Sequence, residues 1–182
     1  MANILIVGVG GQGTLLASRV LGEFATKHGY DCKVSEVHGM AQRGGSVVTY
    51  VKFGKEVHSP IIDKNCADML ISFEYLEGLR YLDYLKEDGI GIINTQKILP
   101  LSVQIGDREY PTRDLKNNIK TISADTLAEQ AGSIKVVNTV ILGRLFKELN
   151  VSLDEAKEAL LNTLNGKLID INIKALELGY NS

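Results

Sequence analysis

"NILIVGVGGQGT", Asn3–Thr14, decides how the rest of the chain is read. Its apolar run, Asn3–Val7, stops abruptly at glycines, the form of a buried strand opening into a turn. Beyond the turn, Leu16, Val20 and Phe24, with Ala17, Leu21 and His28 beside them, recur at three- and four-residue spacing. That periodicity predicts a helix from about Gln12 to His28, closed by Gly29. "DCKVSEV", Asp31–Val37, follows as a second strand. A strand, a helix and a strand at the outset predict a parallel sheet covered by helices.

Gly8, Gly10 and Gly13 satisfy G-x-G-x-x-G, with Gly11 beside them, between strand and helix. In a dinucleotide site such glycines permit a tight turn and close approach of a pyrophosphate to the helix N-terminus. An acidic residue at the end of the second strand would hold a ribose, and Glu36 stands there. The same glycines equally suit a helix packed tightly under a strand. Gln12 is the odd member, because a phosphate loop has no need of its amide, which can bond a neighbouring chain or a ligand.

A second glycine phrase follows the second strand: "HGMAQRGGS", His38–Ser46. A plain nucleotide-binding domain has no reason for it. Gly39, Gly44 and Gly45 free the backbone, and between them stand an imidazole (His38), an amide (Gln42) and a guanidinium (Arg43). A planar guanidinium suits a phosphate or carboxylate. A solvated loop with one surface ion pair is the competing reading. The two phrases fall at the ends of strands read as neighbours, so they are expected to share one surface.

Farther along, "SVVTYVKF", Ser46–Phe53, alternates and is β-branched, and "GKE" predicts a hairpin back into "VHSP", hence a mixed sheet. Ala67–Phe73 reads as a buried strand, 74–86 as a helix, Gly89–Thr95 as a strand, Leu101–Pro111 as a second hairpin and Lys120–Ala124 as the last strand. Helices are expected at Asp125–Ala131, Val137–Leu149, Ser152–Leu164 and Asp170–Leu178, with Ser152 and Glu155 forming a capping box. The fold class is therefore α/β: a three-layer α/β/α sandwich on a mostly parallel, mixed sheet, with a helical C-terminal tail, in one domain over residues 1–182.

Composition narrows the chemistry. A net charge of −2 gives no nucleic-acid footprint, and the short apolar start lacks the length and basic flank of a signal or membrane span, which points to the cytoplasm. Two cysteines, Cys32 and Cys66, cannot hold a [4Fe–4S] cluster, which takes four thiolates, and no zinc spacing occurs. No acid–base pair or nucleophile triad stands beside the glycine phrases, so no catalytic and no metal-ligating residue is assigned. His58 is expected near a surface, His28 at a helix C-terminus, and Glu74 and Glu77 on a solvated helix face.

Four phrases, "ILIVGVGGQGTLLASRVLG", "SEVHGMAQRGGSVV", "FEYLEGLRYL" and "NTVILGRL", together resemble the indolepyruvate ferredoxin oxidoreductase beta subunits, of the gamma-type domain of the 2-oxoacid:ferredoxin oxidoreductases. The likeness runs from about Asn3 to Tyr180, and its most specific part is His-Gly-Met-Ala-Gln-Arg-Gly-Gly. It implies that a 2-oxo acid, coenzyme A and oxidised ferredoxin give acyl-CoA, carbon dioxide and reduced ferredoxin, with arylpyruvates as substrates. It also implies that thiamine diphosphate, magnesium and [4Fe–4S] clusters sit on a larger alpha subunit, leaving this chain inactive alone. The surface of Gly8–Gly13 and His38–Gly45 would then face that partner near the thiamine or coenzyme A region. His38 and Arg43 would meet an anionic group or a partner carboxylate, and Gln12 would orient. The alternatives are a self-contained NAD-binding oxidoreductase and a non-catalytic binding module of the same fold.

Overall fold

The computed structural model describes residues 2–39, 44–164, 166 and 168–182. Six strands, β1 (Ala2–Val9), β2 (Asp31–His38), β3 (Ser46–Gly54), β4 (Ala67–Ser72), β5 (Leu85–Asn94) and β6 (Ile119–Ile122), form one sheet in the order β2-β3-β1-β4-β5-β6. β1, β4, β5 and β6 pair in parallel, whereas β3 runs antiparallel to both β1 and β2. The sheet is mixed and mostly parallel, the class expected, but its antiparallel strand is not paired through the hairpin from which the mixed sheet was inferred.

β3 lies between β1 and β2, which corrects the reading of these two as neighbours. The antiparallel pair is β2 and β3, which stand on either side of the second glycine phrase, with His38 opposite Val47. The hairpin expected at "GKE" is absent. Val57 is buried there, and its N–H donates to Asp31 Oδ2 at 2.9 Å instead of to a ladder. His58 itself is exposed, with a loose contact of 3.8 Å to Glu56.

Among the described residues, seven α-helices complete the fold: α1 (Thr14–Lys27), α2 (Tyr75–Tyr81), α3 (Leu101–Gln104), α4 (Ala124–Ala131), α5 (Val137–Glu148), α6 (Leu153–Thr163) and α7 (Ile169–Tyr180). α2 is shorter than its apolar spacing predicts. A 3-10 helix over Leu82–Tyr84 relaxes it, and Leu85 is already paired with Ala67 in the sheet. The second expected hairpin, Leu101–Pro111, is the short α3 followed by coil, because the Pro100 carbonyl accepts the Val103 and Gln104 N–H groups and starts a helical turn. β6 ends two residues early, since the Ala124 N–H is taken by Asn94 Oδ1 at 3.1 Å and opens α4.

β1 is apolar without alternation because both its faces are covered. Ile4 and Ile6 enter the larger core with Val20, Phe24, Val51, Ile71, Val140 and Phe146, whereas Leu5 and Val7 enter a smaller one with Val48, Ile62, Leu70 and Leu85. The larger core lies under α1 and the helices after β6, so the C-terminal helices are the main cover of one sheet face. The other face carries α2 and the segment containing Ile62.

α6 begins with the expected capping box of Ser152 and Glu155, and it meets the end of α1. His28 sits 2.8 Å from the Phe24 carbonyl through Nδ1 and 3.1 Å from Glu155 Oε1 through Nε2. The Phe24 carbonyl, then Glu155, raise the imidazole above its usual 6.5. The Ser152 hydroxyl, then His28, hold Glu155 down at about 2. A raised base stabilises the fold fully below its ordinary value and loses that contribution as pH climbs through the raised one. A lowered acid contributes above its ordinary range and loses the contribution as pH falls toward the lowered value. The pair therefore stabilises most between the ordinary carboxylate and imidazole values. His28→Gln is expected to lower the melting temperature more at about pH 5.5 than at about pH 8.5. An equal loss at both would contradict the pairing.

Candidate functional site

Because β3 alone is reversed, its start lies at the same edge of the sheet as the carboxyl ends of the other five strands. The chain leaves β1 toward β2 on one side and β4 toward β5 on the other, so the crevice between β1 and β4 is the switch point where open α/β sheets bind ligands. Both glycine phrases come to this edge. The Gly10 N–H donates to the Gly45 carbonyl at 2.9 Å, which joins them directly.

The first phrase shapes the crevice. Gly8 is buried, and a Cβ there would come 2.8 Å from Gln12 Oε1 and 3.2 Å from Phe73 Cβ. Gly13 has φ +86°, and a Cβ would meet Asn138 Nδ2 at 2.4 Å. Gln12 is turned inward: Oε1 accepts the Val9 N–H at 2.8 Å, while Nε2 donates to the Phe73 carbonyl at 3.3 Å and to Gln96 Oε1 at 3.0 Å. It stitches the ends of β1, β4 and β5 rather than reaching for a neighbour. Gln96 and Asn94 both donate to Asp125, at 3.0 and 2.9 Å, which carries the stitch on to α4. Gln12→Glu would set a carboxylate against two oxygen acceptors and is expected to cost about 1–3 kcal/mol. An unchanged urea midpoint would show that the amide stitches nothing.

Two adjoining clefts flank this stitch. One, of about 360 Å³, is lined by Gly10, Gly11, Gly13, Thr14, Glu36 and His38 among others. The other, of about 370 Å³, is lined by Gly10–Gln12, Gln96, Ile98, Lys135 and Asn138 among others. The N-terminus of α1 opens between them with no side-chain cap and no acidic residue in its first turn, and the carboxylate of Glu36 meets it only through the Thr14 hydroxyl. Asn138 is more than nine-tenths buried, with Oδ1 accepting the Thr139 N–H at 2.9 Å. Its Nδ2 has no hydrogen-bond partner among the described residues and lies beside Gly13. This donor, the helix N-terminus and Lys135 make a setting suited to a negatively charged group.

His38 is exposed, at the rim, with Nδ1 3.2 Å from the Gly39 carbonyl. Gly44 and Gly45 are at the base of the second phrase, Gly44 with φ +77°. Gln42 and Arg43, named from the sequence, lie outside the described residues. Glu36 reaches the site across β3, its Oε2 accepting Thr14 Oγ1 and Thr49 Oγ1, each at 3.0 Å. This carboxylate oxygen fastens α1 onto β2 and β3. Of the two thiols, Cys32 is half-buried on β2 and Cys66 exposed before β4, and two thiolates do not make a cluster site.

Glu74 and Glu77, expected to be solvated, are 1% and 5% exposed. Their helix lies on the sheet, and each carboxylate is matched. Glu74 caps α2 through the Glu77 N–H at 2.8 Å and accepts the Ile98 N–H at 2.8 Å. Glu77 accepts Ser46 Oγ at 2.6 Å and Arg80 at 2.9 Å, tying the second glycine phrase to α2. Nearby, Lys97 Nζ stands over the Tyr75 and Tyr110 rings at 5.0 and 5.1 Å. Burial, then the charge of Glu74, pushes the Tyr110 phenol up to about 12.

Sequence reasoning passed over Asn138, Lys135, Gln96 and Asp125. Asn138 opens the phrase "NTVILGRL", but nothing local ties it to Gly13. The signal lay in pairing that phrase with the first glycines.

Residues 3–182 match the family model described as pyruvate ferredoxin/flavodoxin oxidoreductase. Over 189 residues the chain is 39% identical to the indolepyruvate oxidoreductase subunit IorB of Archaeoglobus fulgidus, covering 98% of this chain and 94% of that one. The subunit of the same name from Thermococcus kodakarensis is 41% identical, with 97% and 93% covered. Among solved structures, the gamma subunit of keto/oxoacid ferredoxin oxidoreductase from Geobacter sulfurreducens superposes with a TM-score of 0.75 at 24% identity, covering 100% of this chain and 97% of that one. The 2-oxoglutarate:ferredoxin oxidoreductase from Magnetococcus marinus gives 0.76 at 17% identity, with 99% of this chain matched to 30% of that one. At these identities the structural likeness is one of fold.

Proposed function

The chain belongs to the pyruvate ferredoxin/flavodoxin oxidoreductase family, and from that membership we propose that it is the small subunit of an indolepyruvate:ferredoxin oxidoreductase, folded as one gamma-type domain over residues 1–182. The observation that carries the reading is the full-length identity to subunits named for indolepyruvate, held together with the joined glycine phrases at the sheet edge. The complex would oxidatively decarboxylate arylpyruvates to acyl-CoA and pass the electrons to ferredoxin. Thiamine diphosphate with magnesium supplies the carbon chemistry and [4Fe–4S] clusters the electron path, both on a larger alpha subunit. This chain's own residues would bind and orient. The positive end of α1, Asn138 Nδ2 and Lys135 would receive an anionic part of the reacting set, for which the phosphates of coenzyme A are the natural candidate. His38 and Arg43 would face the same anion or a carboxylate of the partner.

The NAD-binding alternative has less support. A strand is wedged between the glycine loop's strand and that of Glu36, and one oxygen of Glu36 is spent on two threonines. The discriminating experiment is purification of the tagged chain from its own cells under anoxic conditions. A larger iron–sulfur subunit should elute with it, and the eluate should reduce viologen dye only when given both indolepyruvate and coenzyme A. A solitary chain that binds NAD(H) saturably would overturn the proposal.

A further inference from the structure

Residues 96–110, between β5 and α3 and just beyond, form an arm that displays its apolar side chains to solvent. Leu101 and Ile105 are 71% and 69% exposed, one turn apart, and Ile98 and Leu99 are about half exposed. Four large apolar side chains exposed within eight residues are a candidate interaction surface. The arm is nonetheless built. Its root is held by the Ile98 N–H on buried Glu74 and by the Tyr75 N–H on the Gln96 carbonyl, each at 2.8 Å. Lys97 stands over the paired rings of Tyr75 and Tyr110. Asp107 and Arg108 N–H groups close back on the Ser102 carbonyl at 2.9 and 3.0 Å, and Gln104 Nε2 donates to the Leu99 carbonyl at 2.7 Å. A buried carboxylate, a cation–π contact and a closed turn spent on holding leucine and isoleucine in water make sense for a surface that another protein covers.

Two observations identify the occupant. Ile98 lines the same cleft as Gly10–Gln12 and Asn138, so the arm continues the surface of the candidate site, and whatever completes that cleft meets the arm. The same fold also occurs as 30% of one much longer oxidoreductase chain, where the remainder of a large protein accompanies it. We infer that the arm is the docking element by which this chain holds its larger partner subunit, with Leu101 and Ile105 seated in an apolar groove beside the shared cleft. The inference rests on the function proposed above and adds the contact that assembles the complex.

The test uses the full chain and the partner purified with it. Leu101→Ser/Ile105→Ser should melt like the parent, since both side chains are already in water, but should bind the partner about 100-fold more weakly, which corresponds to roughly 2.7 kcal/mol. At saturating concentrations of the variant, CoA-dependent turnover should return to near the parent rate, because docking and not the cleft is altered. Leu161→Ser, which removes a partly exposed leucine on α6, is the control and should bind normally. Undiminished binding of the double variant to a partner that holds the parent chain would overturn the docking assignment and leave the proposed function standing. A parent chain that holds no partner would overturn the function and the docking together. A parent dimer in sedimentation that the double variant abolishes, with partner binding intact, would assign the arm to a second copy instead.

Discussion

Gly143→Ala or Gly179→Ala is expected to lower the melting temperature by about 10 °C or more, a cost of at least about 3 kcal/mol at this chain length. α5 and α7 cross in contact at these two glycines. A Cβ on Gly143 would lie 2.1 Å from the Leu176 carbonyl oxygen, and one on Gly179 would lie 1.8 Å from that of Val140. The obstacle is backbone on both sides, so no rotamer change relieves it and the helices must separate. Separation opens the core where Val140, Ile141, Ala175 and Leu176 are fully buried. Stability is marginal, so a loss of this size is a large share of the whole. Thermal unfolding of the two variants is the check, and a midpoint within a degree or so of the parent would mean that the crossing is looser than described.

Asn138→Asp is expected to separate stability from function. The substitution is isosteric and keeps the oxygen that accepts the Thr139 N–H. It adds a negative charge next to the uncapped start of α1 and in the first turn of α5, which should hold the fold or stabilise it by up to about 1 kcal/mol. The same charge would stand where an anion is proposed to bind. Like-charge contacts cost several kcal/mol, so the apparent affinity of the assembled enzyme for coenzyme A should drop about 100-fold. The KM for arylpyruvate should change little. Steady-state kinetics with each substrate varied in turn would read this split, and an unchanged KM for coenzyme A would remove the anion from this cleft.

Much of the architecture was legible because it is local. The apolar run before Gly8, the spacing of Leu16, Val20 and Phe24, and the Ser152–Glu155 box each announce their element within a few residues. What escaped depends on strand order. Nothing in "SVVTYVKF" says that β3 inserts between β1 and β2, so a hairpin was sought at "GKE" when β3 pairs with the strand before the glycine phrase. "LSVQI" fits alternation and a helical turn alike, and Pro100 decided for the turn. Glu74 and Glu77 look solvated in a sequence because their partners, Ser46 and the Ile98 N–H, are more than 20 residues away.

The site divides in the same way. Both glycine phrases could be found by eye, and they do meet, at Gly10 and Gly45, although the strands that carry them are not the neighbours they were read as. Gln12 was singled out for its misfit to a phosphate loop, and the misfit has a structural cause: its amide closes the switch-point crevice from inside. Asn138 was hidden because it reaches Gly13 only through the fold.

The most direct test of the small-subunit assignment is add-back. The larger iron–sulfur subunit would be prepared without this chain, and the purified chain titrated in under anoxic conditions while indolepyruvate- and CoA-dependent viologen reduction is followed. Activity should be near absent for either component alone and should rise to a plateau at equimolar chain. Full activity of the larger subunit by itself, or a mixture that stays silent at every ratio, would contradict the assignment.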